Sequence, residues 1–133
     1  MSVFVDTSAL YAFLDRSDQN HGAAKAWLSG TGRDLGESLL THNHVVVETA
    51  ALVHRRLGAA AVRALLEDLL PITTVVFVDE PLHRAAVSAF VASRMRRASL
   101  VDWVSFELMR HRGIAHAFAF DRDFDRAGFT TLP

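Results

Sequence analysis

Apolar residues recur along this chain in two rhythms that alternate from the first residues to the last. Val3, Phe4 and Val5 form a short apolar, β-branched run that stops at Asp6, the pattern of a buried strand over residues 2–5. Thr7 or Ser8 can cap a helix carrying Leu10, Phe13 and Leu14. A second helix follows the Asp18–Asn20 turn, with Ala23, Ala24, Trp27 and Leu28 at helical spacing, until the Gly30–Gly36 stretch breaks it. Leu39, Leu40 and Thr41 predict a second strand. Val45–Leu57 then reads as a helix apolar nearly all round, ended by Gly58, and a further helix fits Ala59–Leu70 before Pro71. Thr73–Val78 is the clearest strand pattern in the chain, β-branched and uninterrupted.

From Glu80 the helical period returns through Leu82, Ala85, Ala86, Ala89 and Phe90, followed by a basic segment, Arg94, Arg96 and Arg97. Ser99-Leu100-Val101-Asp102 has the form of a capping box. It opens a helix through Trp103, Phe106, Leu108 and Met109 to a glycine stop at Gly113. Ala115–Phe120 predicts a strand ending at Asp121, a loop spans Arg122–Gly128, and Phe129–Leu132 closes the chain as a last strand. Strands alternating with crossover helices predict a mainly parallel sheet covered on both faces, an α/β/α sandwich in a single domain over residues 1–133. Ligands of such sheets sit outside the carboxyl ends of the strands, where the strand order reverses. Two of the predicted strands end there in a carboxylate.

Composition narrows the chemistry. The chain has no cysteine, which excludes a disulfide framework, a thiolate nucleophile and a sulfur-based zinc site. Its first residues lack a basic region, and no apolar run approaches the ~20 residues of a membrane span, so a soluble, cytoplasmic protein with no membrane partner is expected. The 14 basic and 15 acidic residues nearly cancel, giving a formal net charge of −1 and no first-order hint of a nucleic-acid partner. Yet every basic residue except Lys25 is arginine, the side chain that forks onto phosphate or carboxylate.

Four acids stand out. Asp6 and Asp121 end strands, Asp102 lies in a helix's first turn, and Glu48 has Val45, Ala51 and Leu52 as helical neighbours, an apolar setting in which a carboxylate needs a partner. Asp6 and Asp102 also have a purely local reading as helix caps. Arg55 and Arg56 lie about two turns from Glu48, too far for a local pair, which leaves a metal or a distant arginine. In the loop Asp121-Arg122-Asp123-Phe124-Asp125, Asp123 is a candidate second ligand or supporting group and Asp125 a solvated one. Converging carboxylates suit hard cations such as Mg²⁺ or Mn²⁺, whose chemistry supports phosphodiester hydrolysis without a Cys, His or Ser nucleophile. Apart from the four acids, eleven acidic residues face 14 basic ones, so the body around the site is Arg-rich and positive.

Taken together, Val3-Phe4-Val5-Asp6-Thr7-Ser8-Ala9-Leu10, the Glu48 helix, Ser99-Leu100-Val101-Asp102-Trp103 and Ala117–Phe124 through Gly128-Phe129 closely resemble PIN-domain ribonucleases, more narrowly the VapC-type toxins of toxin–antitoxin pairs. The resemblance runs over essentially the whole chain. It implies a five-stranded parallel sheet with the first and fourth strands adjacent. It also implies an acidic quartet, Asp6, Glu48, Asp102 and Asp121, that binds Mg²⁺ or Mn²⁺ to cut RNA. The resemblance further implies that Thr7 helps to orient a metal water or phosphate; the alternative for Thr7 is a helix cap. Many relatives have His at the position of Asp123. A homodimer and a cognate antitoxin covering the acidic groove are implied as well.

Other readings compete with this one. His42-Asn43-His44 with His54 could form a transition-metal cluster, but residues at i and i+2 do not share a helix face. Arg94–Arg97 and the pair Arg110 and Arg112 bracket the Asp102 helix and could track an RNA backbone or be solvated surface. A receiver-like signalling domain would need a lysine after a late strand, and Lys25 lies early. A catalytically inactive PIN-like module that binds RNA or protein would be favoured by loss of Glu48 or Asp102, and both are present.

Overall fold

A computed structural model describes residues 1–30 and 38–133. Beyond Gly30, the break expected over Gly30–Gly36 lies outside the described residues. The elements run β1 (Ser2–Val5), α1 (Thr7–Leu14), α2 (His21–Ser29), β2 (Ser38–His42), α3 (Asn43–Leu57), α4 (Ala59–Arg63), β3 (Thr74–Val76), α5 (Glu80–Ala92), α6 (Leu100–Arg112), β4 (His116–Phe118), α7 (Asp123–Arg126) and β5 (Thr130–Leu132). All pairings are parallel, in the order β3-β2-β1-β4-β5. Helices cover both sides of the sheet, with α1 packed on α2 and α3, and α5 on α6. Strand order reverses between β1 and β4, the predicted location of a ligand site. Among the described residues no helix is long and apolar enough to cross a membrane.

The core is aromatic at its centre. Phe4, Phe106, Phe118 and Phe124 are fully buried, and Phe124 packs on Phe4 and Phe106 with ring centroids 6.0 and 5.0 Å apart. A phenylalanine buried to this degree contributes roughly 2–3 kcal/mol through the area it removes from water. Because Phe124 belongs to the one-turn helix α7, that burial also fixes the loop carrying Asp121 and Asp123.

Several boundaries differ from the sequence pattern for physical reasons. The strand expected over Thr73–Val78 pairs only at Thr74–Val76, because it lies at the sheet edge and its single partner, β2, ends at His42 opposite Val76. Ala115–Phe120 is laddered only over His116–Phe118, and the expected Arg122–Gly128 loop contains α7. The helix expected over Ala59–Leu70 begins as α4, widens to a π-turn over Ala64–Leu69 and tightens into a 3₁₀ turn at Leu70–Ile72, where Pro71 stops it. Helix α3 starts at Asn43 and is less uniformly buried than its composition implies. Val45, Thr49 and Val53 form its buried stripe, whereas Val47 is exposed.

Candidate active site

The first carboxylate is set by a helix start. Asp6 follows β1 and is the N-cap of α1, so it, and neither Thr7 nor Ser8, caps that helix: its Oδ2 accepts the Ser8 backbone N–H at 3.0 Å and the Ser8 hydroxyl at 2.6 Å. Ser8 Oγ in turn accepts the Phe120 N–H at 2.9 Å. One hydroxyl thereby ties the end of β1 to the chain leaving β4, just before Asp121. Asp6 is 4% exposed. Burial, opposed by the Ser8 hydrogen bonds and reinforced by repulsion from Asp102 and Asp121, raises its carboxyl from 3.8 to about 7.

Asp102 comes from α6, where the expected capping box is complete. The Asp102 N–H donates to Ser99 Oγ at 3.2 Å and the Ser99 N–H donates to Asp102 Oδ2 at 2.9 Å. The capping role and a role in the acidic cluster are therefore compatible. Burial, with contributions from Asp121 and Glu48, raises the Asp102 carboxyl to about 6. Asp121 follows β4 and accepts the Asp123 N–H at 2.9 Å. Carboxylate oxygens of Asp102, Asp121 and Asp123 lie within 4.8 Å of one another. Asp125 is exposed and accepts from Thr131 Oγ1.

Among the described residues the partner of Glu48 is a hydroxyl and no arginine pairs with it. Thr7 Oγ1 donates to Glu48 Oε1 at 2.7 Å and accepts from Thr49 Oγ1 at 3.0 Å. The Thr7 hydroxyl is thus spent on aiming Glu48, one helix away. The sequence offered no signal for this pair, whose members stand 41 residues apart, nor for the link that Ser8 makes.

The His42-Asn43-His44 motif resolves into an unrelated joint. His42 is fully buried and caps α3, its Nδ1 accepting the Val45 N–H at 3.3 Å. That bond places the ring proton on Nε2, which donates to Ser105 Oγ at 2.9 Å, and Ser105 donates on to the Val101 carbonyl at 3.1 Å. Burial lowers the imidazole from 6.5 to about 3, so it stays neutral. His54, also on α3, is exposed. Of the arginines around α6, Arg110 is engaged internally, with Glu107, the Ala127 carbonyl and the Phe129 ring.

Among the described residues the donors gathered here are carboxylates, hard oxygen ligands, and two of them hold protons unusually tightly because they are buried and, to a lesser extent, because they face one another. Such a set fits Mg²⁺ or Mn²⁺ and has no soft donor for zinc or copper. Asp6, Glu48, Asp102 and Asp121 contribute to one local field, and Asp123 joins it.

Comparison with known proteins adds independent findings. Residues 3–130 match the PIN domain family. The chain is 40% identical over 132 residues to the 23S rRNA-specific endonuclease VapC20 of Mycobacterium tuberculosis, covering 98% of this chain and 97% of that protein. The crystal structure of that VapC20, described as a sarcin–ricin loop cleaving toxin, superposes with a TM-score of 0.87 at 37% identity, covering 98% and 99% of the two chains. FitAcB from Neisseria gonorrhoeae shares the fold, with a TM-score of 0.72 at 15% identity over 100% and 97% of the chains.

Proposed function

The chain belongs to the PIN domain family, and on that premise we propose that it is a divalent-cation-dependent endoribonuclease of the toxin type, restrained by a cognate antitoxin. The observation that carries this reading is the crowding of carboxylates from β1, α6 and the β4–α7 loop where strand order reverses. Asp6, Glu48, Asp102 and Asp121 would hold Mg²⁺ or Mn²⁺, with Asp123 as an additional carboxylate. When bound, the cation offsets charge on the phosphate and lowers the pKa of the attacking water.

The rest is the work of the chain's own groups. Ser8 holds Asp6 in one rotamer and ties it to the strand that leads into Asp121. Thr7 and Thr49 aim the Glu48 carboxylate, and Ser99 fixes one oxygen of Asp102 while leaving the other for a ligand. Supporting contacts of this kind typically contribute tenfold to a hundredfold in metal affinity or activity. The relative VapC20 is described as acting on 23S rRNA, so ribosomal RNA loops are the first substrate class to test. Its description as a toxin supports the antitoxin partner, and a homodimer belongs to the same proposal.

An RNA cleavage assay decides between an enzyme and a PIN-like binding module. Wild-type protein should cut a ribosomal stem-loop with Mg²⁺, stop in EDTA and recover on adding Mg²⁺ or Mn²⁺. Asp6→Ala and Asp102→Ala should lose about a hundredfold or more. Unchanged cation-dependent cleavage by both variants overturns the site assignment. RNA binding with no cleavage under any cation favours the non-cutting module.

A further inference from the structure

Beside the acidic cluster lies a second concavity of different chemistry. It has a volume of ≈ 350 Å³ and is lined by Arg96, Arg97, Trp103, Asp123 and Arg126, with Ala98 between them. It is continuous with the site already described, because Asp123 belongs to both and Trp103 follows Asp102 on α6. Among the described residues Asp123 is the one acid on its wall, and Arg126 holds it at 2.9 Å. Arg96 and Arg97 are exposed and make no ion pair among the described residues. Trp103 packs edge-on against buried Phe106, ring centroids 5.3 Å apart, and remains partly exposed. Its indole N–H is buried and has no hydrogen-bond partner among the described residues.

The segment supplying Arg96 and Arg97 is held in an uncommon backbone conformation. Arg94 and Met95, with φ of 62° and 55°, are consecutive non-glycine residues in the left-handed region, and Ser93 Oγ accepts the Met95 N–H. Backbone of this kind clusters at ligand sites and switch regions.

An aromatic side chain, exposed guanidinium groups and a volume within the range of small-ligand pockets match the way single-stranded RNA is recognised. Unstacked bases are splayed out onto aromatic or arginine planes, and arginines take the phosphates. We propose that this pocket seats one splayed-out nucleotide of the RNA, adjacent to the phosphate being cut, and so selects where the chain cleaves. The proposal rests on the nuclease reading above and names the determinant of its cleavage site. An acidic peptide would satisfy the arginines but leave the Trp103 face without a flat partner.

Full-length protein in EDTA, which prevents cutting, is titrated with single-stranded RNA octamers rich in each base in turn while tryptophan emission is followed. Trp27 is 5% exposed in the core, so a quench lost in Trp103→Phe reports on the pocket. The expected result is a quench with at least one octamer, weakened about tenfold or more in Arg96→Ala/Arg97→Ala. The salt dependence of binding should fall by about 0.7 in log–log slope per arginine removed. In the cleavage assay the double variant should raise KM or shift the cut position with the metal requirement intact. Quenching without cleavage by wild type under any cation supports the pocket and removes the nuclease reading. Cleavage with unchanged KM and position in the double variant, or quenching by an oligoglutamate peptide and by no RNA, overturns the proposal and leaves the nuclease reading standing.

Discussion

The turns after β1 and after β2 solve one structural problem with opposite electrostatics. Asp6 follows β1 and His42 is the last residue of β2; each caps the next helix and each is buried, at 4% and 0% exposure. His42 is driven to about 3, and both ring nitrogens are satisfied by Val45 and Ser105, so the neutral ring is a finished joint between α3 and α6. Asp6 is driven to about 7 by burial, with Asp102 and Asp121 adding repulsion that His42 does not meet from any acid, and the Ser8 bonds offset only part of that cost. Burial with every polar atom paired builds structure. Burial beside like charge leaves a demand that a ligand has to meet.

The sharpest way to break this contrast is Asp6→Asn. It keeps an acceptor for the Ser8 N–H and removes the charge, so RNA cleavage should fall by about a thousandfold if the carboxylate is a metal ligand. The same variant should stabilise the cation-free protein at pH 8, by an amount on the order of 4 kcal/mol in denaturant unfolding. A loss of activity with a loss of stability would instead make Asp6 a structural cap.

His42→Ala should do the reverse, costing about 3 kcal/mol by leaving the Val45 N–H and the Ser105 hydroxyl without their partner. His42→Asn retains a capping oxygen and should recover about 1 kcal/mol of that in denaturant unfolding. Equal stability of the two variants would refute the capping role. Ser8→Ala should lower cleavage by tenfold to a hundredfold, because Asp6 is then free to turn and loses its link to the β4 strand end.

Much of this architecture is legible in residue patterns. The Val3–Val5 run ending in Asp6 and the Ser99–Asp102 box are local features, and both elements form where their residues predict. Contacts between distant segments are not encoded in any period. Glu48 stands in a mostly apolar neighbourhood, yet its partner Thr7 belongs to another helix, and a charge count cannot identify a hydroxyl as the answer. Spacing already told against a metal cluster at His42-Asn43-His44, but sequence does not show which histidine is buried, so the capping role of His42 was not legible. The length of β3 was set by where its neighbour ends.

The pH dependence of the cation-free protein separates the two turns further. Asp6, raised from 3.8 to about 7, and Asp102, raised to about 6, contribute stability that is present below pH ~4 and lost as pH rises through those values. His42, lowered from 6.5 to about 3, contributes stability present above pH ~6.5 and lost as pH falls toward 3. Between pH 4 and 6 the acids therefore outweigh the histidine, and stability should decline gently as pH rises. His42→Asn should steepen that decline, read as urea midpoints across the range. An unchanged slope would mean that His42 is not buried neutral.

The central claim is that the carboxylates at the β1–β4 end are crowded in order to hold a divalent cation. Calorimetric titration of Mg²⁺ at pH 6.5, repeated in buffers of different ionisation enthalpy, counts the protons released as the cation binds. The account requires saturable binding with net proton release in the wild type, and both should be lost in Asp6→Asn. Binding of equal affinity in the two proteins, with no protons released, would contradict it.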